Sequence, residues 1–221
     1  MGRLTVATAA CLAVVSLIAG PQWVFASPAS KAAPCARGYT YGGYASHDGV
    51  QGVAASITAT HKPAVGSGHA AAWVGVGGVH AGLHGANAWL QTGLAAFAGQ
   101  GLHLYVEQVS PGHERRFVDL GRATPGHSYR FAVNEVSTDV WQAAVDGRLV
   151  GDPAYLPTGG GSWRGVATAE SWTTGHSGCN SFTYRFDDVS VRTGADWNPL
   201  GRGERVGRGV SRDTDGFSAQ A

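Results

Sequence analysis

The sequence has 221 residues, a formal net charge of +1 and a charged fraction of only 14%. This near-neutral composition argues against a nucleic-acid-binding protein and against a protein drawn to an anionic membrane surface. With 34 glycines and no long amphipathic helical window, the chain is expected to be rich in strands and turns.

The first 26 residues have the pattern of a secretory signal peptide. Met1-Gly2-Arg3 supplies a positive start, residues 4–20 are apolar or small, and Val24-Phe25-Ala26 offers a small-x-small cleavage site. The apolar stretch is slightly shorter than the roughly 20 residues that span a bilayer, which disfavours a membrane anchor. We therefore expect cleavage after Ala26 and a secreted, extracellular protein of 195 residues without a membrane segment.

Three cysteines are present, and Cys11 leaves with the predicted signal peptide. The remaining two, Cys35 and Cys179, are expected to form one disulfide because an exported chain folds in an oxidising compartment. Two unpaired thiols are the alternative.

After a predicted flexible leader over residues 27–38, the pattern favours one β-sandwich domain over residues 39–193. Short β-prone runs alternate with glycine, proline, asparagine and aspartate, at a spacing typical of two-sheet antiparallel β-sandwiches. Residues 194–221 are rich in Gly, Arg, Ser and Asp, and we predict a disordered tail there. The predicted strands are Val53–Ala59, Ala71–Gly77, Ala88–Leu94, Leu102–Val109, Phe117–Leu120, Tyr129–Val136, Val140–Val145, Arg164–Trp172 and Phe182–Val191.

Several predicted strands carry a polar group and an aromatic ring on the same face, because residues two apart point the same way. If these faces belong to one sheet, they form a groove with aromatic walls and a few polar groups, as ligand-binding sites require. Alternation alone makes half of any exposed sheet polar, so an ordinary solvent-exposed face is the alternative. The candidate groove residues are Trp73, Trp89, Gln91, Tyr105, Glu107, Glu170 and Trp172.

Motifs in order along most of the domain resemble those of the glutamic peptidases, or eqolisins. That family carries an A-W-V-G-I-[DG]-G strand followed by an L-Q-T-G strand. It also has an N-W-[AG]-G opening, a W-Y-E-x-x-P strand, a P-G-D turn and an N-A-E segment. The matching stretches here are Ala72-Trp73-Val74-Gly75-Val76-Gly77-Gly78, Leu90-Gln91-Thr92-Gly93, Tyr41-Gly42-Gly43-Tyr44, Leu104-Tyr105-Val106-Glu107-Gln108-Val109-Ser110-Pro111, Thr124-Pro125-Gly126-His127 and Thr168-Ala169-Glu170.

The resemblance implies a concanavalin A-like jelly-roll sandwich and a secreted, acid-acting endopeptidase. The family's catalytic pair carries over onto Gln91 and Glu170, and Trp73, Trp89, Tyr105, Glu107 and Trp172 are then expected to contact a polypeptide substrate. A carboxylate can take a proton from the attacking water, and an amide N–H can stabilise the oxyanion. No metal or cofactor is needed, and we expect a monomer.

Two other functions remain open at this stage. One is a non-catalytic sandwich that binds carbohydrate or cell-wall polymer through Trp73, Trp89 and Tyr105. The other is a glycosidase that uses Glu107 and Glu170 as paired carboxylates, which would have no need of Gln91.

The nine histidines match no metal-ligand spacing, and we expect them to be solvated loop residues. Among them are His69, His80, His84 and His103.

Overall fold

The structure, a computed structural model, describes residues 35, 37–159, 161–175, 178–212 and 216–220. The predicted signal peptide and most of the predicted leader lie outside these described residues. Within them, no helix is both long and apolar enough to cross a membrane.

Two antiparallel sheets form the domain, so the prediction of a two-sheet antiparallel β-sandwich is confirmed. The first sheet has the strand order β13-β1-β10-β3-β4-β5-β6, and the second has the order β14-β15-β11-β2-β7-β8-β9, with β12 paired to β11. The strands are β1 (Gly38–Val50), β2 (Gly52–Ala59), β3 (His69–Gly78), β4 (Ala88–Phe97), β5 (Leu102–Val109), β6 (Arg116–Arg122), β7 (Ser128–Ser137), β8 (Val140–Val145), β9 (Arg148–Tyr155), β10 (Trp163–Thr173), β11 (Thr183–Thr193), β12 (Asp196–Pro199), β13 (Glu204–Gly207), β14 (Val210–Arg212) and β15 (Gly216–Gln220).

The core between the sheets is built from one face of each strand. In β4, Leu90, Thr92 and Leu94 are fully buried, whereas Gln91 points to the other face, as period-two alternation predicts. All nine predicted strands are present, and four of them extend one or two residues beyond both predicted ends. The burial pattern therefore leaves a separate outer face on the first sheet, where polar side chains can lie.

Two strands of the domain were not predicted. The strand β1 is rich in glycine and tyrosine and has no apolar alternation, and it is held by its pairing with β10. The strand β9 is mostly exposed and joins β8 through the Asp146-Gly147 turn, where both residues have positive φ. Backbone pairing at these positions forms strands that side-chain pattern does not reveal.

The prediction of a disordered tail over residues 194–221 is wrong for the described part of this segment. It forms four short strands, β12 to β15, which pair with β11, β1 and one another. Phe217 is only 2% exposed and stacks on Phe186, with ring centroids 4.4 Å apart. The burial of Phe217 and backbone hydrogen bonds thus give a defined structure to a segment whose composition resembles that of a disordered chain.

The predicted disulfide is confirmed. Cys35 and Cys179 are bonded with their Cα atoms 5.3 Å apart, and 144 positions separate them in the sequence. The bridge ties the chain preceding β1 to the segment between β10 and β11.

Candidate active site

The seven predicted groove residues lie on the outer face of four adjacent strands of the first sheet, in the order β10-β3-β4-β5. Glu170 in β10 is opposite Ala71 in β3, and Gln91 in β4 is opposite Gly75 in β3 and Glu107 in β5. Ala71 and Gly75 are small, so they leave room on this face beside Glu170 and Gln91. The strand order therefore brings together Glu170 and Gln91, which are far apart in the sequence.

A glycine in β4 allows a close approach of two strands. A Cβ atom on Gly93 would lie 2.0 Å from the carbonyl oxygen of Ala72 and 2.7 Å from the Cα of Trp73. Glycine at this position thus permits β4 to lie tightly against β3, beside Gln91 and Trp73.

Both carboxylate oxygens of Glu170 accept hydrogen bonds from strand β3. The indole N–H of Trp73 donates to Oε2 at 3.0 Å, and Nε2 of His69 lies 2.8 Å from Oε1. The side chain of Glu170 is only 12% exposed. Arg164, on the same strand and the same face, pairs instead with Glu204 at 2.7 Å and leaves Glu170 to these two partners.

Gln91 is oriented by a buried phenol. Its Nε2 donates to the hydroxyl of Tyr105 at 3.2 Å, which leaves the amide a second N–H. Tyr105 is 1% exposed and stacks against Phe117, with ring centroids 5.2 Å apart. Burial raises the pKa of Tyr105, with a further contribution from the negative charge of Glu170, so the phenol stays neutral.

Glu107 is a second carboxylate beside Gln91. The indole N–H of Trp89 donates to its Oε1 at 3.2 Å, and a guanidinium nitrogen of Arg115 lies 3.9 Å from Oε2. Burial raises the pKa of Glu107, the charge of Arg115 opposes this rise, and the charge of Glu170 adds to it. Glu107 is therefore protonated over a wider acid range than an exposed glutamate.

These groups line a pocket of about 190 Å³ that has polar groups at its sides and an apolar floor. Such an arrangement can hold an apolar side chain of a ligand while two carboxyl groups and an amide face its polar atoms. The lining residues are His69, Ala71, Gln91, Ala95, Phe97, Tyr105, Glu107, Arg115, Phe117 and Glu170.

The other predicted groove residues take different places around this pocket. Trp73 and Trp89 direct their N–H groups at Glu170 and Glu107, and Trp172 lies against the ring of His69. Tyr105 is too deeply buried to offer a ring face to a ligand, and it acts through its hydroxyl.

The prediction of solvated loop histidines is wrong for His69 and His103, which lie in β3 and β5. His80 and His84 do lie in the exposed segment between β3 and β4. His69 is a site residue that sequence reasoning missed, although it shares its parity with Trp73 and so its face of the strand. In the part of the chain that the structure describes, no group of three or more His, Cys, Asp or Glu side chains is arranged to hold a metal ion.

Comparison with known proteins finds similarity in solved structures alone, because no protein family model and no curated protein matches the chain. The fold is similar to that of scytalido-glutamic peptidase bound to a peptide-based transition-state analogue, with a TM-score of 0.60 and 17% identity over 82% of this chain and 98% of that chain. It is also similar to SCP-B, a member of the eqolisin family of peptidases in complex with the tripeptide Ala-Ile-His. That match has a TM-score of 0.55 and 16% identity over the same shares of the two chains. The chain therefore has the fold of the glutamic peptidases, which the motif resemblance predicted.

Proposed function

We propose that this protein is a secreted, acid-acting endopeptidase of the glutamic type that hydrolyses peptide bonds with Glu170 and Gln91. The observation that carries the proposal is that both side chains line one pocket, with Glu170 held between the N–H donors of Trp73 and His69. The two similar structures hold a peptide-based analogue and a tripeptide, which supports a polypeptide substrate.

The first step is attack by water on the scissile carbonyl. The Glu170 carboxylate takes a proton from the water as its oxygen bonds to the carbonyl carbon. The carbonyl electron pair moves onto the oxygen, and the second N–H of Gln91 donates to the oxyanion that forms. Tyr105 holds this amide in place through its hydroxyl.

The second step is collapse of the tetrahedral intermediate. Glu170, now a carboxylic acid, returns its proton to the amide nitrogen, and the C–N bond breaks to release an amine and a carboxylic acid. One side chain thus serves as base and then as acid, and no covalent intermediate with the protein is formed.

Acid conditions favour this arrangement because of the second carboxyl group. The raised pKa of Glu107 means that it becomes neutral at a higher pH than an exposed glutamate does, which removes a negative charge from the pocket that holds the developing oxyanion. Glu107 is then able to donate as well as accept a hydrogen bond.

The first prediction tests this pair with purified protein and casein at about pH 3–5. Glu170→Gln should abolish cleavage because it removes the base, and Gln91→Ala should lower kcat by a factor on the order of 10²–10³ through loss of the oxyanion donor. Glu204→Gln, a matched change in the exposed Arg164–Glu204 pair, should leave the rate unchanged. A folded wild-type protein that cleaves nothing between about pH 2 and 6 would contradict the proposal.

A carbohydrate-binding sandwich is the second candidate, and one observation favours it. Tyr39 and Tyr41 are 53% and 38% exposed and stack in parallel, with ring centroids 6.0 Å apart, close to Trp172. Exposed rings of this kind suit the apolar faces of sugars. In that case, Tyr39→Ala should abolish binding to insoluble polysaccharide, and Glu170→Gln should leave this binding unchanged.

A glycosidase would lose activity on Glu107→Gln and keep it on Gln91→Ala.

A further inference from the structure

His69 is a side chain that neither the motif resemblance nor the proposed chemistry assigns a role. Its ring lies among three aromatic side chains on the outer face of the first sheet. Ring centroids are 5.9 Å away for Phe97, 6.0 Å for Tyr39 and 6.3 Å for Trp172, the last in a stacked geometry. The His69 side chain is 18% exposed. Packing therefore fixes the plane of the imidazole and aims Nε2 at Glu170.

The contact between His69 and Glu170 is short, although the two residues are 101 positions apart in the sequence. Within the described part of the chain, His69 is the basic side chain that has a nitrogen within 4 Å of a Glu170 oxygen. Arg115, the other basic side chain at this pocket, is directed to Glu107. His69 is thus the basic side chain that is placed to orient Glu170.

Other titratable groups face His69 and Glu170 from the neighbouring strands. Tyr39 and Tyr41 lie on β1, Tyr105 and Glu107 lie on β5, and Arg115 follows β5. Burial raises the pKa of each of the three tyrosines, so they stay neutral in acid. His69 is therefore the basic group that contacts Glu170 from β3.

We infer that His69 is a positioning residue of Glu170, which orients the carboxylate through a hydrogen bond from Nε2. The inference deepens the proposed function and rests on it. An imidazole N–H that donates to Oε1 at 2.8 Å fixes the rotation of the carboxylate, and it leaves Oε2 with its remaining lone pair for the proton of water.

Two substitutions test this role. His69→Phe keeps an aromatic ring in the cluster and removes the hydrogen-bond donor. It should lower kcat about tenfold, the loss expected for one hydrogen bond to a charged group, with little change in KM. His69→Gln keeps an N–H donor, so it should restore most of kcat.

His103→Gln is the matched control, because His103 pairs with Asp119 at 3.0 Å at a place outside the pocket. It should leave kcat and the pH profile unchanged. An unchanged kcat in His69→Phe would overturn the inference, as would equal effects of His69→Phe and His103→Gln.

A measurement without turnover separates this inference from the proposed function. Crystal structures of the wild type and of His69→Phe give the orientation of the Glu170 carboxylate directly. In the wild type, Oε1 should lie within hydrogen-bond distance of Nε2 of His69, and in His69→Phe the carboxylate should turn away from this position or occupy more than one orientation. An unchanged carboxylate orientation would overturn the role of His69 even in an active peptidase. A changed orientation in a protein that cleaves nothing would uphold the positioning role and contradict the peptidase function.

Discussion

At the scale of single residues, the site holds two glutamates in different surroundings. Glu170 accepts hydrogen bonds on both oxygens from His69 and Trp73, whereas Glu107 faces Trp89 at 3.2 Å and Arg115 at 3.9 Å. A short contact with the basic side chain of His69 and a longer contact with that of Arg115 give two otherwise identical side chains different surroundings. This difference of environment, more than residue type, is what makes Glu170 the candidate base.

Glu107 should make stability depend on pH in a specific direction. Burial raises its pKa in the folded state, so the stability it contributes is fully present below the unfolded pKa of a glutamate and is lost as pH rises through the higher folded pKa. Glu107→Gln removes this dependence and should be more favourable to stability at pH 7 than at pH 4, relative to wild type. Urea unfolding at the two pH values measures this, and a larger relative gain at pH 4 would contradict it. The exposed carboxylate of Asp152 offers a control in Asp152→Asn.

At the scale of elements, the C-terminal strands are the main departure from expectation. Alternation is readable in Phe217 and Ala219, both buried, but two residues are too few to distinguish a strand from a polar, glycine-rich tail. The strands β2, β4 and β5 could be predicted because each is an apolar-rich run flanked by turn residues such as glycine, proline and asparagine. Short edge strands depend on backbone pairing with neighbours that only the fold supplies.

Phe217 should therefore be a stability determinant. It packs between Phe186 and Tyr44, with ring centroids at 4.4 and 5.1 Å, and Phe217→Ala should destabilise the protein by about 3–5 kcal/mol through lost burial and a cavity. Trp197→Ala, in β12 and 42% exposed, should cost much less. Chemical unfolding of both variants checks this. Equal small losses would mean that the tail does not pack on the sandwich.

At the scale of the whole molecule, the disulfide closes a very long loop. Because 144 positions separate Cys35 and Cys179, the bridge restricts most of the unfolded chain. The chain-entropy model gives a stabilisation of about 5 kcal/mol for a loop of this size, and measured values of about 2–5 kcal/mol are usual. Cys179→Ala should lower the free energy of unfolding within that range. The unreduced, denatured wild type should show no free thiol from these two residues, and two such thiols would rule the bridge out.

Part of the candidate site could be predicted from sequence, and part could not. Period-two alternation placed Gln91 with Trp89 and Glu170 with Trp172 on one face of their strands, and the structure has them so. His69 was missed because the predicted strand began at Ala71, two residues too late to include it. The side of the sheet that a residue faces is set locally, because the side-chain direction repeats every two positions along a strand.

The sequence by itself determined the β class, the nine predicted strands, the cysteine pair and the side of their strands on which Gln91 and Glu170 lie. Only the tertiary structure decided that β10 lies next to β3, since Trp73 and Glu170 are 97 positions apart yet joined by a hydrogen bond. Strand order depends on long-range pairing between backbones that are alike for every sequence, so no local pattern reports it. The contact of His69 with Glu170, the burial of Tyr105 and the anchoring of Phe217 all follow from that order.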